Sequence, residues 1–214
     1  MNPKTILILF SLFLFSIAQA SDRPVNEIPM YGGQDKSHIQ PNAELSQNAS
    51  NTGWEYLMKG DVDTAIKRFN QSWMFNHNNA DALWGFGIIT LHRGNILQED
   101  SLYNLTESVR YLEMAKSIKT RELRLIVDLS LSYIFLGNEL KKNSDPYIQY
   151  FDKAEENLND AIAINEGYPM IYANYSALEY YRENYPQSKE YLEKAKSLGF
   201  QIDPTLEKKV NDKL

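Results

Sequence analysis

The chain has 214 residues, 43% of them hydrophobic and 23% charged, which suits one folded domain with a sizeable core. A formal net charge of -6 speaks against a nucleic-acid partner, whose footprint is lysine and arginine clustered on one face. The absence of cysteine excludes disulfides, thiol catalysis, thiolate metal sites and a lipoprotein-type cysteine anchor together.

Lys4 gives a short positive start, Ile6 to Ile17 is apolar apart from Ser11 and Ser16, and Ala18-Gln19-Ala20 has the small–x–small form of a cleavage site. This predicts a secretory signal peptide over residues 1–20, with an apolar run shorter than the ~20 residues a spanning helix takes. The expected location is outside the cytoplasm, in a bacterial periplasm or secreted, with no membrane span left after cleavage. Residues 21–44 read as a flexible N-terminal arm. Pro24, Pro29, Gly32, Gly33 and Pro41 punctuate it, and it shows no apolar period. Met30-Tyr31-Gly32-Gly33 is either a turn in a tether or a short segment that docks on the fold. His38 has no second ligand nearby and reads as solvated.

From residue 45 a unit recurs. Gly53-Trp54-Glu55-Tyr56-Leu57 opens it, and Trp84-Gly85-Phe86-Gly87 opens it again, with Gly53 and Gly87 34 residues apart. The small residues Gly53, Gly87, Ser130 and Ser176 mark four first helices. Four second helices share a small–x3–large–x2–small pattern: Ala65-Phe69-Ser72, Ser108-Leu112-Ala115, Ala154-Leu158-Ala161 and Ser188-Leu192-Ala195. These spacings place each trio on one helical face, where the small residues let a neighbouring helix approach and the large one fills the gap. Offsets from second-helix marker to next first-helix marker stay at 22, whereas the middle two units carry insertions of 9 and 12 residues inside the pair. The stripes Leu102, Leu105, Val109, Leu112 and Tyr147, Phe151, Ala154, Leu158 predict that both insertions lengthen the second helices at their N-terminal ends by two to three turns. Asp203-Pro204 reads as a helix start, so residues 203–214, with Leu206, Val210 and Leu214 on one face, are the expected capping helix.

The pattern over residues 45–202 resembles the tetratricopeptide repeat (TPR) family, and the arm with Met30-Tyr31-Gly32-Gly33, together with Arg68-Phe69-Asn70-Gln71 and Trp84-Gly85-Phe86-Gly87, looks like small exported bacterial members of it. The resemblance implies an all-α TPR-type helix-turn-helix solenoid of about four repeats. Its turn glycine is matched by Gly60, Gly94 and Gly137, with Glu183-Asn184 in its place in the fourth unit. In this family the first helices line a concave groove. Carrying those positions over gives Trp54 and Met58, then Asp81, Trp84, Ile88 and His92. The third unit gives Arg124, Asp128, Leu131 and Phe135, and the fourth Met170, Asn174, Ala177 and Tyr181. The set is aromatic and apolar with few charges, which suits an extended peptide or amphipathic helix. Gly85 is expected to let a ligand backbone come close. At the positions of the family's carboxylate clamp stand Ser50, Trp54, Asp81, Trp84 and Gly85, with Arg124 alone positive, so acidic peptide tails are not expected to be read that way.

No hydrolase, zinc-protease, P-loop or dinucleotide motif occurs, and His38, His77 and His92 lie far apart. The expectation is no enzyme, no cofactor and no metal, but an interaction scaffold for a protein or peptide partner. The alternative is a structural homo-oligomer assembled through the rim that carries the two insertions.

Overall fold

The computed structural model describes residues 39–201 and 204–214. The expected signal peptide, the arm as far as His38 with its Met30-Tyr31 segment, and Asp203 lie outside the described residues. Nine α-helices run through the described ones: α1 Ala43–Met58, α2 Val62–Phe75, α3 Ala80–His92, α4 Ser101–Ile118, α5 Leu123–Lys142, α6 Ile148–Asn165, α7 Pro169–Tyr181, α8 Tyr185–Ser197 and α9 Pro204–Asn211. They pack in sequential antiparallel pairs, α1 with α2, α3 with α4, α5 with α6 and α7 with α8, the arrangement a helical repeat would have. First helices of successive pairs also touch, α1 on α3, α3 on α5 and α5 on α7. None of these helices is long and apolar enough to cross a membrane.

Side chains start several helices by accepting the first free backbone N–H groups: Asn42 from Leu45 at 2.9 Å, Asp61 from Thr64 at 3.1 Å and Asn79 from Ala82 at 2.9 Å. Pro169 and Pro186 occupy first-turn positions of α7 and α8, where a missing N–H costs nothing. The marker trios of the second helices are all at most 1% exposed, so the shared phase is that of the core. Phe69 shows how the pairs close. A Cβ on Gly53 would lie 2.6 Å from its ring, and one on Gly85 2.4 Å, so α1 and α3 approach the ring on glycine faces. Buried serines join helices within and between pairs: Ser46 with Ser72, Ser108 with Ser132 and with the Gly87 carbonyl, and Ser176 with Ser188.

Three expectations change here. Gly94 and Gly137 are not turn residues. Both are buried in helical backbone, where a Cβ would come within 2.9 Å of Leu105 Cγ and 2.7 Å of Phe151 Cε1. The left-handed turn positions of the four pairs are Gly60 (φ 78°), Gln98 (φ 53°) with Asp100 (φ 36°), Ser144 (φ 62°) and Glu183 (φ 66°). The insertions also lengthen both members of a pair, not the second helix alone. α4 and α6 have 18 residues each against 14 in α2 and 13 in α8, about one extra turn. The remainder extends the first helices: α3 continues into a π-helical turn, Arg93–Leu97, and α5 reaches 20 residues. In α9, Val210 is fully buried, but Leu214 falls beyond the helix end and is 59% exposed, which shortens the expected apolar stripe.

Candidate functional site

Several of the groove-position residues of the first helices meet one another. Trp54 of α1 meets Trp84 of α3 edge to face, with ring centroids 5.2 Å apart. Each indole N–H reaches the next first helix. Trp54 Nε1 donates to the Asp81 carbonyl at 3.2 Å, and Trp84 Nε1 donates to Asp128 Oδ2 of α5 at 2.8 Å. Further along α3 and α5, Ile88, Leu131 and Phe135 are half-buried, and Phe135 meets Tyr181 of α7 edge to face at 6.2 Å. Burial raises the Tyr181 phenol above its ordinary pKa, and the neighbouring Tyr180 adds to this.

The two carboxylates among these positions are treated differently. Asp81 is closed: Lys119 Nζ holds Oδ1 at 2.6 Å and Gln47 Nε2 holds Oδ2 at 3.0 Å. Asp128 has the Trp84 bond on Oδ2 and no hydrogen bond to Oδ1 from any described residue. Burial pushes its carboxyl pKa up to about 6, against the lowering effects of the Trp84 bond and the nearby Arg124 charge. Arg124 lies one turn earlier on α5, is exposed and makes no ion pair with a described residue. The Tyr168 phenol, just ahead of α7, is raised by burial and by the Asp128 charge, with Arg124 opposing. No sequence position pointed to Tyr168, whose phenol feels the Asp128 charge.

Of the sequence-derived positions, Trp54, Asp81, Trp84, Arg124 and Asp128 come together in this cluster, and Ile88, Phe135 and Tyr181 form its apolar continuation. His92 is exposed near the α3 end. Asn174 is 3% exposed, and its Nδ2 donates to the Val127 carbonyl at 2.9 Å and to Ser130 Oγ at 3.1 Å, so it ties α7 to α5. Gly85 does not open the face to a ligand backbone: it is buried against Phe69. The His77 ring packs on Trp73, with ring centroids 3.9 Å apart, and its Nε2 is buried without a hydrogen bond to a described residue. No protein-family model matches this chain, and no curated protein does either. Among the described residues no three of His, Asp and Glu converge as they would around a metal ion.

A second surface stands out at the turns inside the pairs. Met58 is 78% exposed, and Ile96, Leu97 and Tyr103 around the π-helical turn are 63%, 52% and 59% exposed. Ile148, at the start of α6, is 64% exposed. The insertions therefore present apolar side chains to solvent.

Proposed function

We propose that this chain is an exported TPR scaffold that binds a protein or peptide partner through the face lined by α1, α3, α5 and α7, which acts as its concave groove. The observation that carries this is the half-buried row Trp54, Trp84, Ile88, Phe135 and Tyr181, apolar side chains left uncovered beside a carboxylate with an open oxygen. The 34-residue spacing, the buried marker trios and the left-handed turn in every pair support the TPR reading. The groove reading is tested by affinity capture from envelope extract with the exported chain, beside Trp84→Ala and Phe135→Ala. Loss of one band with both variants, at unchanged helical circular dichroism, is the expected result. Equal capture by all three sinks it. The exposed Ile96, Leu97, Tyr103 and Ile148 favour one second reading, self-association through the insertion rim. Light scattering decides that: a monomer at high concentration removes it.

A further inference from the structure

Asp128 is mostly buried on the groove face, with one oxygen fixed by Trp84 Nε1 at 2.8 Å and the other bare of hydrogen bonds from any described residue. The chain knows how to close a carboxylate on this face, since Asp81 is held by Lys119 at 2.6 Å and Gln47 at 3.0 Å. At Asp128 it does not. Arg124, on the same helix face one turn away, keeps its guanidinium in solvent. An asparagine would keep the Trp84 bond without the cost of a poorly solvated charge, so packing alone does not call for a carboxylate here. Trp84 stands beside the carboxylate, joined to it through its indole N–H, and the open oxygen is left to accept from a cationic donor.

We propose that Asp128, with Trp84 beside it, is a subsite for a basic side chain, lysine or arginine, of the partner held in this groove. This rests on the groove reading above. The partner's ammonium or guanidinium donates to Asp128 Oδ1 while apolar residues of the same peptide cover Trp54, Ile88 and Phe135. Arg124 is the competing positive charge of the chain itself, so its removal strengthens the site.

One random-peptide display library, panned in parallel on the exported chain as wild type, Trp84→Ala, Asp128→Asn and Arg124→Gln, tests this. Wild type is expected to select peptides with a lysine or arginine at a fixed distance from apolar anchors. Replacing that residue by norleucine in a selected peptide then weakens binding to wild type at least about tenfold, and to Asp128→Asn little. Arg124→Gln binds the basic peptide more tightly than wild type. Selected peptides without a basic preference leave the groove standing and overturn the subsite. A basic preference that persists in Asp128→Asn overturns its assignment to this residue. Peptides that bind wild type and Trp84→Ala alike, or no selection by wild type at all, overturn the groove reading and the subsite with it. Asp128→Asn keeps the Trp84 acceptor, and its circular dichroism and cooperative melting confirm that a lost preference is not a lost fold.

Discussion

Phe69 and Trp84 sit on adjacent helices and solve opposite problems. Phe69 is fully buried between glycine faces of α1 and α3, with Trp54 and Phe86 edge to face at 5.6 and 5.9 Å. Trp84 is half-buried, and its N–H serves a carboxylate that has one oxygen open. The first place is built for packing density. The second leaves stability unused, which is where a binding surface is sought.

Breaking the Phe69 site should have the largest effect. Phe69→Ala is expected to cost about 3–5 kcal/mol, because the flanking glycine backbones have no side chains with which to fill the hole. Urea denaturation reads this as a shift in midpoint, and a loss under ~1 kcal/mol would mean that α1 and α3 collapse onto each other. The converse change, Gly85→Ala, puts a methyl 2.4 Å from the ring. Its helix-propensity gain of ~1 kcal/mol is expected to be outweighed by overpacking, for a net loss of about 1–3 kcal/mol. An unchanged midpoint would show that the ring can slide.

At Asp128 the expected sign reverses. Its carboxyl titrates near 6 in the folded chain, above the ordinary 3.8, with Trp84, Arg124 and Tyr168 as the groups that face it. Between those pH values the folded state holds a proton that the unfolded chain releases. The stabilisation is therefore complete below about pH 4 and is lost as pH rises through about 6. Asp128→Asn removes this dependence. It is expected to gain about 1–2 kcal/mol at neutral pH, and nothing near pH 4. Parallel denaturation curves at the two pH values check it, and an equal difference at both would assign the effect to something other than this charge.

The contrast also separates what could be read in the sequence from what could not. The second-helix trios were legible because a 3- and 4-residue rhythm reports one helix face and needs no knowledge of neighbours. Trp54 and Trp84 came from the groove positions that the family resemblance implies. Gly94, Gly137 and Gly85 misled, since a glycine required by a close helix crossing looks in sequence like one required by a turn or by a ligand's approach. The turns of the later pairs use Gln98, Ser144 and Glu183 instead, whose side chains advertise no left-handed backbone. Partnerships across helices were the least legible. Lys119 holds Asp81 from 38 positions away and Trp84 reaches Asp128 across 44, and each depends on how far one helix slides along the next. Tyr168 precedes its helix and shares no period with the groove positions.

The smallest expected effect follows from those turns. At the end of α5, Ser144 N–H donates to the Lys141 carbonyl at 3.1 Å and Asp145 N–H to the Leu140 carbonyl at 2.9 Å. At the end of α1, Gly60 N–H and Asp61 N–H make the same two bonds, to Leu57 and Tyr56, each at 3.0 Å. The backbone is thus alike and only the side chain differs, so the two positions form a matched pair. Ser144→Gly relieves the contact between Cβ and backbone that a left-handed residue suffers, and gives back part of the gain through a freer unfolded chain. A net gain of about 0.5–1 kcal/mol is expected, with Gly60→Ser losing a similar amount, both read as urea midpoints at unchanged slope. At Glu183 the same change should gain less, because its carboxylate also pairs with Lys141 at 2.5 Å, an exposed contact of small worth. If Ser144→Gly destabilises, the serine side chain contributes more at that turn than its backbone strain removes, and the equivalence of the two turns fails.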